Sequence, residues 1–268
     1  KVRHTSPSRI YEVKVDIPPL PTQRKIAAIL SAYDDLIENN LRRIKILEEM
    51  AQNLYREWFV KFRFPGHQHS RFTDSSLGRI PEGWEVKKVG EILKKVKRGE
   101  KIQKQDYSTE GLIPVVDQGK EFIGGYTDKR ESLIFEDLPV IVFGDHTRVL
   151  KFIDFPFACG ADGTQLLKSN DGRMPMILFY YGLSFIDLSD FAYARHFKFL
   201  KEEALILPEK LIADLFNQFV WPLREQMSLL MTKNITLRRT CDLLLPKLIS
   251  GEVDVSELDI TVPEEASA

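Results

Sequence analysis

Apolar residues recur at alternating intervals of four and three positions in two long stretches of the chain. The first series is Ile26, Leu30, Tyr33, Ile37, Asn40, Ile44, Leu47, Ala51, Leu54 and Trp58. The second series is Phe216, Val220, Leu223, Met227, Leu230, Asn234, Leu237, Cys241, Leu244 and Leu248. A repeat of about 3.5 residues, held for about four heptads, is typical of a helix that packs lengthwise on another helix. The pattern therefore predicts two long helices, each of which needs a long helical partner.

Each series includes one asparagine at a position that the pattern places on the apolar face. A single asparagine at such a position typically weakens helix pairing while fixing its register. We therefore expect Asn40 and Asn234 to have a structural role in aligning the helices.

The flanks of the two helical stretches repeat as well. Ile17-Pro18 corresponds to Leu207-Pro208 at an offset of 190 positions, and Arg3-His4 corresponds to Arg195-His196 at an offset of 192. The first residues therefore look like the end of a domain whose counterpart between the helices is complete. The simplest parent arrangement is domain, helix, domain, helix, with the first domain absent from this sequence. Such a layout holds two binding domains apart and is not typical of an enzyme.

Changes in periodicity and composition divide the chain into six segments. They are 1–21, a remnant with a strand near 10–17; 22–63, the first long helix with Thr22 as its N-cap; 64–80, a polar linker; 81–207, a central domain; 208–251, the second long helix; and 252–268, an acidic tail. Pro222 lacks a backbone donor and is expected to kink or restart the second helix. The tail is expected to fray.

The central domain is predicted to contain both strands and helices. Short apolar runs punctuated by Gly, Pro and Asp predict strands at 112–116, 140–144, 149–153 and 164–167. Helices are expected near 174–184 and 89–93. The chain is therefore assigned to the α+β class, with one mixed domain inserted between two long helices.

Composition excludes several classes of protein. The 268 residues carry a net charge of −1 and 43% of them are hydrophobic, which suits one globular domain with a helical arm. No apolar run approaches the roughly 18 residues of a membrane span and no secretory signal is visible, so no membrane partner is expected and the cytoplasm is the expected location. Cys159 and Cys241 are too few for a disulfide framework or a zinc site, and both are expected to pack in the core.

Local charge leaves two interpretations open. Residues 81–207 contain 18 Lys and Arg against 20 Asp and Glu, so the central domain as a whole is not basic. The stretch from Lys87 to Lys104, however, carries eight basic residues against two acids, Glu91 and Glu100. Such a strip can follow nucleic-acid phosphates, or it can be an ordinary solvated face of strand and loop.

The sequence contains no recognisable catalytic motif. It has no glycine-rich phosphate loop, no HExxH or paired-cysteine spacing for zinc, and no nucleophile elbow. The segment from Gly144 to Arg148 combines an acid, a histidine and a hydroxyl, but neighbours in an extended loop point in different directions. A turn that presents His146, Thr147 and Arg148 outward is therefore preferred, and Asp162-Gly163-Thr164 is predicted to be a turn before a strand.

Four motifs, in a fixed order, carry a resemblance to a known family. They are IPPLPTQRKIA at 17–27, WFV at 58–60, LGRIPEGWE at 77–85 and LLPKLISGE at 244–252. With these motifs nearly the whole chain resembles the specificity subunit of type I restriction-modification systems. The resemblance implies two target recognition domains at opposite ends of an antiparallel coiled coil of long helices. This sequence resembles the second target recognition domain with both helices.

The same resemblance implies the binding partners. Subunits of this family bind double-stranded DNA, each recognition domain reading half of a bipartite site, and have no catalysis of their own. Methyltransferase subunits dock along the helices and a restriction subunit joins them. S-adenosylmethionine, ATP and magnesium then belong to those partners, and this chain binds no cofactor. Because the first recognition domain is missing, the sequence is either a truncated subunit or a half-length subunit that pairs with a second copy of itself.

General rules of DNA readout narrow the candidate contacts. Arg and Lys suit guanine or phosphate, Gln suits adenine, and hydroxyl groups suit either. The DNA-binding candidates are Lys97, Arg98, Lys101, Lys104, Gln118, Lys120, Tyr126, Lys129, Arg130, His146, Thr147, Arg148 and Arg195. The expected helix-pairing seam is Ile37, Asn40, Ile44, Leu47, Leu230, Asn234, Leu237 and Cys241. The repeat of Arg195 at Arg3 also favours a role in closing the domain onto the helix, and no catalytic or metal-binding residue is expected.

Two alternatives from other classes keep the same fold. One is a coiled-coil scaffold whose central domain binds protein. The other is a nuclease that uses an acid near a lysine, such as Glu100-Lys101 or Asp117 with Lys120. DNA affinity that falls steeply with salt distinguishes a DNA reader from the scaffold. Metal-dependent cleavage by the isolated chain distinguishes the nuclease from both.

Overall fold

A computed structural model describes Tyr11, residues 17–190 and residues 195–262. The chain forms two compact units, Lys1–Leu47 with Gln226–Ala268 and Glu48–Glu225. The strand predicted near 10–17 and the Arg3-His4 segment lie outside the described residues, apart from Tyr11 and Ile17. The central domain predicted at 81–207 lies within the second unit.

The first long helix, α1, spans Leu20–Tyr55. It begins two residues before Thr22, so the N-cap role predicted for Thr22 is wrong. The Gln23 side chain donates to the carbonyl oxygen of Pro18 over 2.7 Å. Pro21 fits the first turn because a backbone N–H there has no partner within the helix.

At its C-terminal end α1 continues into a π-helical turn, Arg56–Val60, which buries Trp58 and Phe59. The backbone N–H of Lys61 donates to the Arg56 carbonyl over 2.9 Å and closes this turn. Phe62 then adopts a positive φ of 56°, which takes the chain out of the helical direction. The helical stretch therefore ends short of the predicted boundary at residue 63.

The segment predicted as a polar linker at 64–80 contains a β-hairpin. Its strands β1 (Phe72–Ser75) and β2 (Gly78–Pro81) pair antiparallel, with Ser75 opposite Gly78. Gly78 takes φ +93°, which glycine tolerates, and the Ser75 hydroxyl donates to the Gly78 carbonyl over 2.7 Å. The polar composition therefore marks a tight turn rather than an unpaired linker.

The later elements alternate short strands with a few helices. The strands are β3 (Glu85–Lys88), β4 (Ile113–Val116), β5 (Gly125–Thr127), β6 (Leu133–Ile134), β7 (Val140–Gly144), β8 (Leu150–Ile153), β9 (Phe157–Cys159), β10 (Thr164–Leu167) and β11 (Ala204–Leu207). Two α-helices, α2 (Met176–Ser184) and α3 (His196–Glu202), lie between β10 and β11. The four strands predicted in the central domain are confirmed to within one residue. The helix expected near 89–93 is a short 3₁₀ turn, Val89–Ile92.

Two sheets carry most of the central domain. One has the strand order β10-β7-β8, and the other has the order β5-β4-β9-β6. Strands β4 and β9 run parallel, with Val116 beside Cys159. Strands β10 and β7 run antiparallel, with Thr164 beside Gly144. Strands β3 and β11 form a separate antiparallel ladder.

The second long helix, α4, spans Lys210–Ile249 without interruption. The restart that Pro222 was expected to cause, as the alternative to a kink, does not occur. Pro222 removes one backbone donor, but Phe216 and Val220, within the two preceding turns, are fully buried. Because most helical stability in proteins comes from packing of the apolar face, this burial outweighs the lost hydrogen bond.

In the first unit the two long helices lie antiparallel. Ile26 and Leu248 belong to one buried cluster. Further along α1, the Asn40 amide nitrogen donates to the Asn234 amide oxygen over 2.8 Å. Residue numbers therefore rise along one helix as they fall along the other. The predicted α+β fold with two paired long helices is confirmed.

The segment after α4 docks onto the first unit, so the expectation that the tail frays from Val253 is wrong for the described residues up to 262. Val255 is 2% exposed and packs in a cluster with Ile26 and Leu248. The Lys25 ammonium donates to the carbonyl oxygens of Ser256 (2.6 Å) and Leu258 (2.9 Å). Alternating apolar residues within this acidic segment supply the buried face.

The main core of the second unit is aromatic. The rings of Phe59 and Phe216 lie 5.0 Å apart between centroids, and those of Phe64 and Trp84 lie 4.9 Å apart. All four rings are buried. Buried aromatic pairs add to the stabilisation from their area. They hold the end of α1, the start of α4 and the first residues of the central domain together.

A partly buried ion pair connects both helices to α2 within the second unit. Arg224 Nη1 lies 3.2 Å from Glu48 Oε2, and the Tyr181 hydroxyl donates to the same oxygen over 3.2 Å. The Arg224 guanidinium also lies 4.9 Å from the ring centre of Phe152 on β8. These contacts fix the central domain against the helix turns that flank it.

The two cysteines differ in burial. Cys159 is fully buried, and burial raises the pKa of its thiol, whereas Cys241 is half-buried. Among the helices in the described part of the chain, none combines the length and apolar character needed to cross a lipid bilayer.

Candidate nucleic-acid interface

The topology brings several loops to one edge of the central domain. The parallel strands β4 and β9 end together at Val116 and Cys159. Strand β7 ends at Gly144, beside Thr164 where β10 begins. The loops 117–124, 145–149 and 160–163 therefore leave the two sheets next to one another. We call these loops, together with the 101–107 segment that borders them, the loop edge.

The 145–148 turn is anchored from behind and exposes its outer side chains. Asp145 is buried, and its carboxylate accepts from the backbone N–H of Phe197 over 2.8 Å. His196 Nδ1 lies 2.9 Å from the Asp145 carbonyl, and because a carbonyl only accepts, Nδ1 carries the proton. His146, Thr147 and Arg148 are exposed, as predicted for an outward-facing turn.

The same anchor places Arg195 beside the turn. Arg195 is exposed and directly precedes α3, whose first residue, His196, bonds to Asp145. Arg148 has a positive φ of 61°, and its guanidinium donates to the Leu188 carbonyl over 3.1 Å. Positive φ is uncommon outside glycine, so the turn holds a defined and unusual backbone conformation.

Gln118 links two of the loops. Its side-chain oxygen accepts from the backbone N–H of His146 over 3.1 Å. Its carbonyl oxygen accepts from the Thr147 hydroxyl over 2.6 Å. The positions of His146 and Thr147 therefore depend on the conformation of the 117–121 loop.

Gly163 allows the third loop to approach this link. It takes φ +68°, and a Cβ added there would lie 2.6 Å from Gln118 Oε1 and 2.7 Å from His146 Cδ2. The turn predicted at Asp162-Gly163-Thr164 is present, and Asp162 also has a positive φ, of 54°. A glycine is required here by both conformation and space.

The 101–107 segment runs along the same edge. The Ile102 N–H donates to the Cys159 carbonyl over 3.0 Å, and the Ala161 N–H donates to the Ile102 carbonyl over 2.7 Å. Lys101 and Lys104 are exposed on either side of Ile102. Lys120, in the 117–124 loop, is exposed as well.

Three further candidates lie beside this group. The Glu100 N–H donates to the Glu131 carbonyl over 3.2 Å, which brings Lys129 and Arg130 next to the 101–107 segment. The Lys129 ammonium forms an ion pair with Glu100 at 3.2 Å, whereas Arg130 is exposed. Tyr126 lies within β5 and is half-buried.

Lys97 and Arg98 are engaged within the domain. Lys97 Nζ lies 3.7 Å from Glu136, and the Arg98 guanidinium donates to the Thr164 carbonyl over 3.3 Å. Arg98 also donates to the Gln165 side chain over 3.2 Å. Arg98 is therefore held by contacts within the domain, whereas Lys97 remains exposed beside one acidic neighbour.

Other members of the basic strip from Lys87 to Lys104 also have acidic neighbours. Lys87 pairs with Asp171 at 3.0 Å, Lys88 with Glu202 at 2.8 Å and Lys94 with Asp137 at 3.5 Å. The strip as a whole therefore matches the interpretation of a solvated, locally neutralised face. Lys101 and Lys104 are the part of it that borders the loop edge.

The network beneath the loops was not predicted from the sequence. Asp117 Oδ1 accepts from the Gly119 N–H over 2.8 Å, and Oδ2 accepts from the Tyr107 hydroxyl over 3.2 Å. Burial raises the pKa of Tyr107, with a further contribution from Asp117, so the hydroxyl stays protonated and donates. Burial lowers the pKa of the Lys151 ammonium below this network. The Asp-x-Gly spacing at 117–119 was the available signal, since it is typical of an Asx turn.

The two acids proposed for a nuclease have other partners. Asp117 holds its own loop, and Glu100 pairs with Lys129. Within residues 17–190 and 195–262, no three His, Cys, Asp or Glu side chains are grouped so that they could hold a metal ion.

The predicted seam residues divide by burial. Ile37, Asn40, Leu230 and Asn234 are buried, and Asn234 Nδ2 also donates to the Ile37 carbonyl over 3.4 Å. The half-buried members are Ile44, Leu47, Leu237 and Cys241. The two asparagines therefore meet at a well-buried point of the helix pair.

Comparison with known proteins gives similarities of one kind. Residues 3–49 match the family described as the type I restriction modification DNA specificity domain. The chain is 28% identical over 272 residues to the "Type I restriction enzyme MjaIX specificity subunit" of Methanocaldococcus jannaschii, covering 94% of this chain and 63% of that protein. Nearly the whole chain is therefore similar to a type I restriction enzyme specificity subunit.

Two further similarities are to proteins of the same kind. The chain is 29% identical over 188 residues to the putative MjaX specificity subunit of the same organism, covering 67% of this chain and 43% of that protein. The crystal structure of the type I S subunit from M. genitalium has the same fold, with a TM-score of 0.56, 17% identity and coverage of 85% of this chain and 61% of that one. The chain spans less than two thirds of the length of these relatives.

Proposed function

We propose that this chain reads DNA sequence for a type I restriction-modification complex and catalyses no step itself. The observation that carries the proposal is the convergence, in a chain similar to type I specificity subunits, of several loops whose outer side chains are basic or hydrogen-bonding. The exposed members are Lys101, Lys104, Lys120, His146, Thr147, Arg148 and Arg195. Such side chains serve both phosphate positioning and readout of base edges.

A division of labour at the loop edge follows from side-chain chemistry. Lys101, Lys104 and Lys120 carry compact, mobile charges that suit phosphates. Gln118 holds the backbone of His146 and the side chain of Thr147, and both residues suit base edges. Base readout needs fixed geometry, whereas phosphate attraction tolerates motion.

The remaining partners and cofactors are proposed on the same footing. Methyltransferase subunits dock along the long helices, a restriction subunit completes the complex, and the cytoplasm is the proposed compartment. S-adenosylmethionine, ATP and magnesium are bound by those subunits. The acceptor base leaves the duplex for the methyltransferase pocket, because the chemistry cannot be done inside the base stack. This chain determines which DNA sequence is modified.

The methylated motif distinguishes two copies of this chain from a pairing with a different first domain. One recognition domain reads one half of a bipartite site. If two copies of this chain act together, the methylated motif has symmetric halves. If a different first domain acts with it, the halves are unlike.

DNA binding by the purified chain tests the proposal. Affinity for random-sequence duplex is expected to fall linearly on a log scale as salt rises, and selection from a randomised duplex pool is expected to enrich a short motif. Salt-independent binding or an unchanged pool would favour the protein-binding scaffold. Cleavage of DNA by the chain and a divalent metal would favour the nuclease.

A further inference from the structure

Lys151 is a charged residue buried beneath the loop edge. It lies in β8 and is 4% exposed. Its ammonium donates to the carbonyl oxygen of Asp117 over 2.8 Å and to that of Glu121 over 2.5 Å. The Asp117 carboxylate lies 3.8 Å away. A buried ammonium is tolerated when its donors and charge are satisfied, and here the 117–121 loop supplies all three partners.

The two carbonyls belong to the two ends of one loop. Lys151 therefore closes the backbone of 117–121 around a single donor group. The Asp117 carboxylate ties the same loop a second time, because it accepts from the Gly119 N–H and from the Tyr107 hydroxyl. The loop conformation is thus fixed from below rather than by contacts on its exposed side.

Gln118 lies between the two ends of this loop and connects it to the 145–149 loop. It accepts from the His146 N–H and from the Thr147 hydroxyl. A series of contacts therefore runs from Lys151 through Gln118 to two exposed residues of the loop edge, His146 and Thr147. Each link joins fixed backbone or short polar groups.

We infer that Lys151 is a positioning residue for sequence discrimination, holding Gln118, His146 and Thr147 in the geometry that reads base edges. The inference rests on the proposed DNA-reading function. Because the ammonium is buried, it takes no phosphate contact itself. Loss of Lys151 therefore affects preference among sequences, and leaves the salt-dependent, sequence-independent part of binding in place.

The test compares two DNA probes on the full chain. One is the duplex pool that the wild-type chain enriches from randomised DNA, and the other is the unselected pool. Lys151→Met is expected to lower the affinity ratio between the pools by about tenfold or more, the scale of a lost base contact. Affinity for the unselected pool and its salt slope are expected to stay within about twofold of wild type.

Two further variants keep the outcome decisive. Ile153→Val lies on the same strand face and removes one buried methyl group without removing a hydrogen bond of the loop, so it is expected to keep the wild-type ratio. Tyr107→Phe removes one tie to Asp117 while preserving the ring, and is expected to lower the ratio by less than Lys151→Met. If circular dichroism shows that Lys151→Met does not fold, Tyr107→Phe decides.

The contrary outcomes are distinct. An unchanged ratio in folded Lys151→Met, or in Tyr107→Phe where the former does not fold, overturns the inference. Equal loss of affinity for both pools also overturns it, because that result shows a structural role alone. If the wild-type chain enriches no sequence, the failure belongs to the proposed function.

Discussion

Asn40 and Asn234 show what one buried polar pair does at the scale of a residue. Their amides bond over 2.8 Å at a point where both residues are about 5% exposed or less. Asn40→Ala leaves Asn234 without that partner, so the free energy of unfolding is expected to fall by about 1–3 kcal/mol in chemical denaturation. The double substitution to leucine at both positions is expected to recover most of this loss. A single substitution with no effect would contradict the assigned role.

Arg148 is expected to contribute to DNA affinity through its charge. Arg148→Ala removes one exposed guanidinium and one hydrogen bond to Leu188. The chain is expected to fold, and the slope of log affinity against log salt is expected to fall by about one. Arg148→Lys is the matched control, because it retains the charge but not the planar fork. Unchanged binding by Arg148→Ala at physiological salt would remove this residue from the interface.

Asp171 makes a contribution to folding stability that depends on pH. Burial by itself raises the pKa of its carboxyl, but hydrogen bonds from the Arg173 backbone, the Lys87 ammonium and the Arg173 guanidinium lower it to about 2. The unfolded value is about 3.9, so the stabilisation is present above about pH 4 and is lost as pH falls through about 2. As pH falls through this range, the free energy of unfolding measured in urea is expected to fall by about 1–2 kcal/mol more for the wild type than for Asp171→Asn. Parallel pH curves would contradict the assignment.

At the scale of an element, the loops of the edge depend on a close approach at Gly163. Gly163→Ala is expected to displace Gln118 and His146, since their side-chain ends lie within 2.8 Å of the added Cβ. Stability is expected to fall by about 1 kcal/mol because of the positive φ, with a larger loss of DNA selectivity. Gly172→Ala is the control, because its Cβ meets no atom within 4 Å. Equal DNA selection by the two variants would contradict the loop arrangement.

Periodicity predicts the elements well where each residue faces either core or solvent. The two helices follow from the 3.5-residue ladders, and strands such as β7 follow from unbroken apolar runs. Pro222 misleads because its local cost is known from sequence, whereas the burial of Phe216 and Val220 that offsets it is not. The docked tail was missed for the same reason, since Val255 finds its partners on distant residues.

The candidate site was predicted in part. His146, Thr147 and Arg148 were expected to face outward because the local sequence around them is enough to predict a turn. For Lys97 and Arg98 the local sequence does not reveal their neighbours, because the acid near Lys97 and the carbonyl that accepts from Arg98 each lie more than 35 positions away. Lys151 was missed because a lysine in an apolar strand gives no sign of which loop lies above it.

For the whole molecule, charge limits how DNA is held. The net charge of −1 gives no general attraction, so binding depends on the basic side chains exposed at the loop edge. Lys101, Lys104, Lys120, Arg148 and Arg195 are exposed there. At about 0.9 per phosphate contact, the slope of log affinity against log salt is expected to be about −4 to −5 for the purified chain on random duplex. A slope near zero, measured by fluorescence anisotropy, would contradict this count.

The central claim is that the loop edge determines which DNA sequence the complex modifies. The direct measurement is genome-wide mapping of methylated bases in cells that express a methyltransferase subunit with this chain or with its Gln118→Ala/His146→Ala variant. The wild-type chain is expected to direct methylation to one short motif, and the variant to a motif that is relaxed or altered at the positions these residues read. The same motif from both chains would contradict the claim.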